Sequence, residues 1–337
     1  MNTTFNTLDY WFGTAEIKEK LSKQKNIFYF DFNTMESKWL SRQPKDITFS
    51  TIVKWKKMPI KLCTNLQQND YKMPLESRYD KKHISFLKSN LQKCIRRKLN
   101  NKAIKTAYHF MKLNINGFLR RISIIMIEDV VLHESFSTIV WLMAATQSIK
   151  SVFQINKNIV DWLLGIVNIL CDIDHCDDIG KSNTVYDITE FGDYELLYSL
   201  QFRLAYGGMN GDMDMLNHIT GVWLDRFKNN IQCNKTEIKL IDSSCIGGLI
   251  ANDWKLEGMN CAGIDFHCAP QIVETLAKMY NRYSENEIKG AIWNCSSRIN
   301  YRKVNDNSEK DIEIWNTIEI ELYKLQQNVL NFTQQYK

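Results

Sequence analysis

Apolar side chains recur along this chain at two different spacings, and the change from one to the other divides it. In DITFSTIVKW, residues Ile47, Phe49, Val53 and Trp55 fall at every second position with Thr51 between them, the alternation of a half-buried strand. IFYFDF (27–32) is a second short, aromatic, β-prone run, and Pro44, Pro59 and Pro74 mark loops around these segments. From Lys82 onward the period becomes helical. Ile84, Leu87, Leu91 and Ile95 form one stripe, and Asn100 and Asn101 end it. Ile104, Ala107, Tyr108 and Met111 form a second, interrupted at Gly117. Leu119, Ile122, Ile125 and Met126 form a third, and Phe136, Ile139, Val140 and Met143 a fourth. Such short connections favour antiparallel neighbours.

The remainder is helical with polar breaks. IVDWLLGIVNIL (159–170) is apolar nearly all round, which predicts a central buried helix. An acidic loop follows, then a helix ending at Gly207 and a stripe of Met215, Leu216, Ile219, Val222 and Trp223. Pro270 is placed to start a helix, and Ser284 and Glu287 have capping-box spacing. Trp315, Ile318, Leu322, Leu325 and Val329 predict a last helix. The fold class is therefore mainly α, a multi-helix bundle with a small β-containing N-terminal part. Three blocks are expected: 1–75 as a small α/β part or extended arm, 76–180 as a basic helical-hairpin domain, and 181–337 as a C-terminal helical domain.

Composition narrows the setting. With 337 residues and 44% apolar content the chain can bury a sizeable core, and 4 Pro and 14 Gly lie below average usage of about 5% and 7%, which favours long helices. The nine cysteines are odd in number and contain no CxxC, the pattern of free thiols in a reducing compartment. No apolar run reaches the roughly 18 residues of a membrane span, and the N-terminus carries acids in place of an apolar signal core. The expectation is an intracellular protein of the cytoplasm or nucleus, away from membranes. The net charge of +5, from 43 basic and 38 acidic residues, is mild, so a polyanionic partner needs a local cluster.

One such cluster stands out. Lys88, Lys93, Arg96, Arg97, Lys98, Lys102 and Lys105, with Arg120 and Arg121 in the next hairpin, are the candidate nucleic-acid-binding residues, because Lys and Arg bind phosphates by displacing counterions without precise spacing. The alternative is a solvated, charge-rich helix surface. Within it, S-N-L-Q-K-C-I-R-R, A-I-K-T-A-Y-H-F-M and F-L-R-R-I-S-I-I-M-I-E-D-V succeed one another. Residues 78–145 thereby resemble the C-terminal helical region of the clamp-loader-related replication-associated recombination protein A (Werner helicase-interacting) family. Arg120, Arg121, Ile122, Glu128 and Asp129 match that family's R-R-L…E-D stretch. The resemblance implies an oligomerising collar and association with DNA replication or repair. It covers about 70 residues and lacks the family's ATPase: the only Gly-Lys-Ser, Gly180-Lys181-Ser182, has His175 where a P-loop requires glycine.

Asp265 and His267 form a second candidate, a catalytic one. Gly263-Ile264-Asp265-Phe266-His267-Cys268 weakly resembles the helix-hairpin-helix DNA glycosylases, which would give Asp265 the role of stabilising a cationic sugar. The expected glycine hairpin and lysine have no clean match around Cys245 to Asn252. The structural alternative has Asp265 capping the helix near Pro270, with His267 packed nearby. Cys171, Asp174, His175, Cys176, Asp177 and Asp178, and Cys261, His267 and Cys268, are the candidate metal ligands. The spacing does not repeat as zinc pairs do, so no metal and no cofactor is expected. Tyr206 to Asp212 has three glycines but two nearby acids, Asp212 and Asp214, and reads as a tight inter-helix turn in place of a phosphate site.

The expectation is thus a DNA-binding accessory protein of replication or repair, in a viral setting or a cellular one, associating with copies of itself or with other proteins. The alternatives are a glycosylase-like enzyme using Asp265, or a structural or assembly protein that binds no nucleic acid.

Overall fold

The computed structural model describes residues 25–55, 58–67, 73, 81–147, 153–177, 179, 186–246 and 260–335. Pro74, the Gly180-Lys181-Ser182 turn and most of 245–252 lie outside them. The described chain is mainly helical with one small sheet near its N-terminus, as the two periodicities predict. Strands β1 (Ile27–Asp31), β2 (Glu36–Leu40), β3 (Phe49–Trp55) and β4 (Met58–Thr64) come first. Helices α1 (Ile84–Arg96), α2 (Asn100–Asp129), α3 (Phe136–Gln147) and α4 (Lys157–Asp172) follow. Then come α5 (Glu195–Ala205), α6 (Asn210–Lys228), α7 (Gln271–Met279), α8 (Glu285–Ile292) and α9 (Glu309–Gln335). Among the described residues no helix is long and apolar enough to cross a membrane.

The chain forms two compact units, each gathered from three stretches. One holds Met1–Asp70, His133–Gln154 and Ile179–Lys235; the other holds Tyr71–Leu132, Ile155–Asp178 and Thr236–Lys337. This interleaving differs from the sequential blocks expected at 75 and 180. Periodicity shows which face of an element is buried, not which distant element buries it.

In the first unit the strand order is β2-β1-β4-β3, with β1 antiparallel to β2, parallel to β4, and β4 antiparallel to β3. Alternation in β1 and β2 buries Phe28, Phe30 and Trp39, and Phe28 stacks on Trp39 at 4.2 Å. Helices α3 and α5 pack on these strands. Trp141 Nε1 donates to the Phe28 carbonyl at 2.8 Å and Trp39 Nε1 to Ser199 Oγ at 2.9 Å, so both indole N–H groups are satisfied in the core. Pro59 does not mark a loop. It is the second residue of β4, opposite Lys54 of β3, and β1 joins β4 only from Lys61 onward, so the missing N–H breaks no bond to β1. The turn expected at 206–212 is shorter, 206–209, with Gly207 at φ +72°, and Asn210 to Asp212 already belong to α6.

The second unit is built on α1 and α2 packed together, with α4 against α2. Their short link is a Schellman turn in which Lys98, at φ +57°, takes the place usually given to glycine: Leu99 N–H donates to Cys94 O and Lys98 N–H to Ile95 O. The interruption expected at Gly117 lies three residues earlier. Asn114 leaves the helical region (φ −160°, ψ 82°) and its Oδ1 accepts from Gly117 N–H at 2.7 Å, an N-cap for the second half of α2. A Cβ at Gly117 would stand 2.8 Å from the Asn114 side chain, so the glycine makes room for the cap. Ser284 and Glu287 close the capping box of α8. The buried line of α9 is Ile314, Ile318, Leu322 and Leu330, with Trp315, Leu325 and Val329 at its margin.

Gly165 of α4 makes the unit's tightest approach. A Cβ there would lie 2.3 Å from the Lys239 carbonyl oxygen and 2.9 Å from Ile238 Cγ2. That segment is fastened one turn away, where Ile241 N–H donates to Asp161 O and Ser243 N–H to Asp161 Oδ1. Gly165→Ala is therefore expected to lower stability by at least about 1–3 kcal/mol, the usual cost of overpacking. Urea unfolding followed by circular dichroism measures it; an unmoved midpoint would show that residues 238–243 yield freely.

Candidate nucleic-acid interface

The candidate basic residues of α1 divide by position on the helix. Lys88, Gln92 and Arg96 follow one another at intervals of four and share a face, while Lys93 and Arg97 are turned toward the elements packed beside it. At the first end of that face Lys88 is half-buried near Arg121 and Arg120 of α2. Burial lowers its pKa, and the fields of Arg121 and Arg120 lower it further. Arg121 reaches Gln92 Oε1 at 3.4 Å, which ties α2 to the same row.

At the other end Lys93, Arg96 and Arg97 are consumed internally and need correction as phosphate ligands, while Lys98 makes an exposed pair. Arg96 is 5% exposed and donates through Nε to Asp129 at 2.6 Å, to Glu128 at 3.2 Å and to the Ser297 carbonyl at 2.9 Å. Gln92 Nε2 reinforces both carboxylates at 2.9 and 2.8 Å. Lys93, also 5% exposed, pairs with Asp265 at 2.8 Å. Arg97 donates to the Ser296 carbonyl at 2.8 Å, and Lys98 pairs with Asp174. A cation inside a short ion pair or bound to a helix-terminal carbonyl has no counterion for a phosphate to replace. Lys102 and Lys105 lie half-buried on the first turns of α2.

Asp265 needs the same correction. It is 1% exposed and fully engaged: Oδ2 accepts from Lys93 at 2.8 Å, Ser297 Oγ at 2.7 Å and His267 Nδ1 at 3.1 Å, and Oδ1 accepts from His267 N–H at 3.0 Å. Burial pushes its pKa up, but the bonds from His267, Lys93 and Ser297 outweigh this and hold the carboxyl well below the usual carboxylate range. Its side chain bonds no N–H of α7, whose N-cap is Pro270; it organises the Asp265–His267 turn instead. A carboxylate so enclosed cannot face a sugar. His267 does emerge, with its side chain 54% exposed.

The Arg96 end and Asp265 are clasped by residues 293–302. A five-residue π-helical stretch, Trp293–Ser297, follows α8 directly. Its end delivers the Ser296 and Ser297 carbonyls to Arg97 and Arg96, and Ser297 Oγ to Asp265. Asn300 Nδ2 then donates to Asp129 O at 2.8 Å. Arg302 donates to Ile95 O at the end of α1, and to Leu170, Cys171 and Ile173 carbonyls at the end of α4, so one guanidinium caps two helices. Sequence reasoning missed Gln92, Arg302 and Trp293. The interval of four from Lys88 to Arg96 pointed to Gln92; no local pattern marks the other two.

Cys63, Cys94, Cys171 and Cys233 are buried free thiols. Burial pushes Cys94 up to about 12 and Cys63 and Cys233 up to about 11, so they remain protonated. Among the described residues no group of three or more His, Cys, Asp or Glu is placed to hold a metal ion. Comparison of the chain with protein-family models, with curated proteins and with solved structures finds no match.

Proposed function

We propose that this is a nucleic-acid-binding accessory protein of DNA replication or repair, which receives a sugar-phosphate backbone on Lys88, Arg120 and Arg121. The observation that carries the reading is the placement of these three cations on the packed helices α1 and α2, where Arg121 bonds Gln92 of the Lys88 row and both arginines act on Lys88. A phosphate placed there would meet three positive charges from two packed helices. The resemblance of residues 78–145 to the replication-associated recombination protein A family supports the same setting. The other basic residues of α1 contribute indirectly, by fixing α1 against α2 and the 293–302 clasp.

The test is a binding series against salt with a labelled oligonucleotide. The affinity should fall steeply, with log K linear in log salt at about 0.7–0.9 per phosphate contacted. Lys88→Gln, Arg120→Gln and Arg121→Gln combined should reduce that slope by about two units. A flat series, or an unchanged slope in the triple variant, rejects the assignment.

A further inference from the structure

The row that begins at Lys88 does not end in charge. Beyond Gln92 and Arg96 it meets two exposed rings, Trp293 at 37% exposure and His267, whose ring centroids lie 5.7 Å apart at 64°. Resting on the nucleic-acid reading, we propose that the strand is unpaired, and that one of its bases stacks on Trp293 beside His267.

Each part of this platform is fixed from beneath. Trp293 opens the π-helical stretch, and the Arg96 guanidinium lies 5.9 Å from its ring centre, itself locked on Asp129 and Glu128. His267 is oriented by Asp265 through Nδ1 and by the Phe266 ring at 4.2 Å. Because a carboxylate only accepts, Nδ1–H donates to Asp265, which leaves Nε2 on the other edge of the ring. The acids along this row are engaged: Asp129 and Glu128 are held by Arg96 and Gln92, and Asp265 by Lys93.

The spacing suits a strand. Lys88 and Arg96 are eight residues apart on α1, about 12 Å along the axis, the span of a few nucleotides of a strand. Cations at one end and a ring at the other make a backbone track with a base platform, the arrangement that binds single strands. A duplex cannot use the ring, because its bases already cover each other's faces.

The experiment compares three labelled ligands of equal length at one salt concentration: oligo(dT), a fully abasic strand, and the dT·dA duplex. The wild-type chain should bind oligo(dT) most tightly. Trp293→Ala should weaken oligo(dT) binding about five- to a hundredfold, the range of base–aromatic stacking, and leave the abasic strand and the salt slope unchanged. Trp293→Phe should retain most of the affinity, while Trp293→Leu, which keeps apolar bulk without a π face, should behave as the alanine variant and serves if that one does not fold. Equal wild-type affinity for abasic and base-bearing strands, preference for the duplex, or an unaffected Trp293→Leu overturns the stacking proposal. If a steep salt slope survives in those cases, the phosphate track on Lys88, Arg120 and Arg121 still stands; if no ligand binds in a salt-dependent way, that reading fails as well.

Discussion

Arg96→Ala is expected to lower folding stability by about 3–5 kcal/mol, the cost of removing one partner from a buried ion pair. The guanidinium bonds Asp129, Glu128 and the Ser297 carbonyl, and only the Glu128 side chain has appreciable access to water. Without it two adjacent carboxylates face each other with Gln92 as their remaining shared donor. Burial and the Asp129 charge already push the Glu128 pKa up, and Arg96 is the main group pulling it down. Losing Arg96 should push the Glu128 pKa up further, so the variant should regain part of its stability as pH falls and that carboxyl takes up a proton. Arg96→Lys should recover little, because a single ammonium cannot reach two carboxylates and a carbonyl in one plane. Urea unfolding at pH 7.5 and pH 5.5 checks both points; a loss under about 1 kcal/mol would mean that the acids are held without Arg96.

Asp265→Ala should be comparably costly, about 3–5 kcal/mol, because it leaves the Lys93 ammonium buried and unpaired and frees Ser297 Oγ. Burial lowers the Lys93 pKa, and Asp265 is the group that most raises it again. The acid side of the pair supplies a pH signature. The folded pKa of Asp265 lies below its unfolded value of about 3.9, so its contribution is complete above about pH 5 and is lost as pH falls through the folded value. The stability gap between the wild-type chain and Asp265→Ala should hold from pH 7 to about 5 and shrink toward pH 2–3. A gap that stays constant through that range would show that Asp265 is not ionised against Lys93. The result also separates roles: an enclosed carboxylate changes stability, whereas an attacking or sugar-stabilising one changes activity while the fold persists.

The elements were largely legible in the sequence, since burying one face of a helix or strand leaves a local pattern. The stripes at 84–95, 104–126 and 136–143 lie on helices, and the alternation at 47–55 lies on a strand. Breaks were read less well where a side chain acts as a cap: Gly117 suggested an interruption, but Asn114 makes it, because its oxygen takes the orphan N–H. The candidate site was read by charge type alone, and that was not enough. Lys93 and Lys88 are identical as letters, yet one turns toward Asp265, 172 residues further on, and the other toward two arginines.

By itself the sequence determined a mainly helical chain with a small N-terminal sheet, and it drew attention to the basic stretch from Lys88 to Arg121, because amphipathic spacing and side-chain charge are properties of short windows. Only the tertiary structure decided which of those charges are internal, that Asp265 is enclosed, and that Trp293 and His267 stand beside Arg96. Those outcomes depend on contacts between residues far apart in sequence, where a charge meets its partner only after the chain has folded.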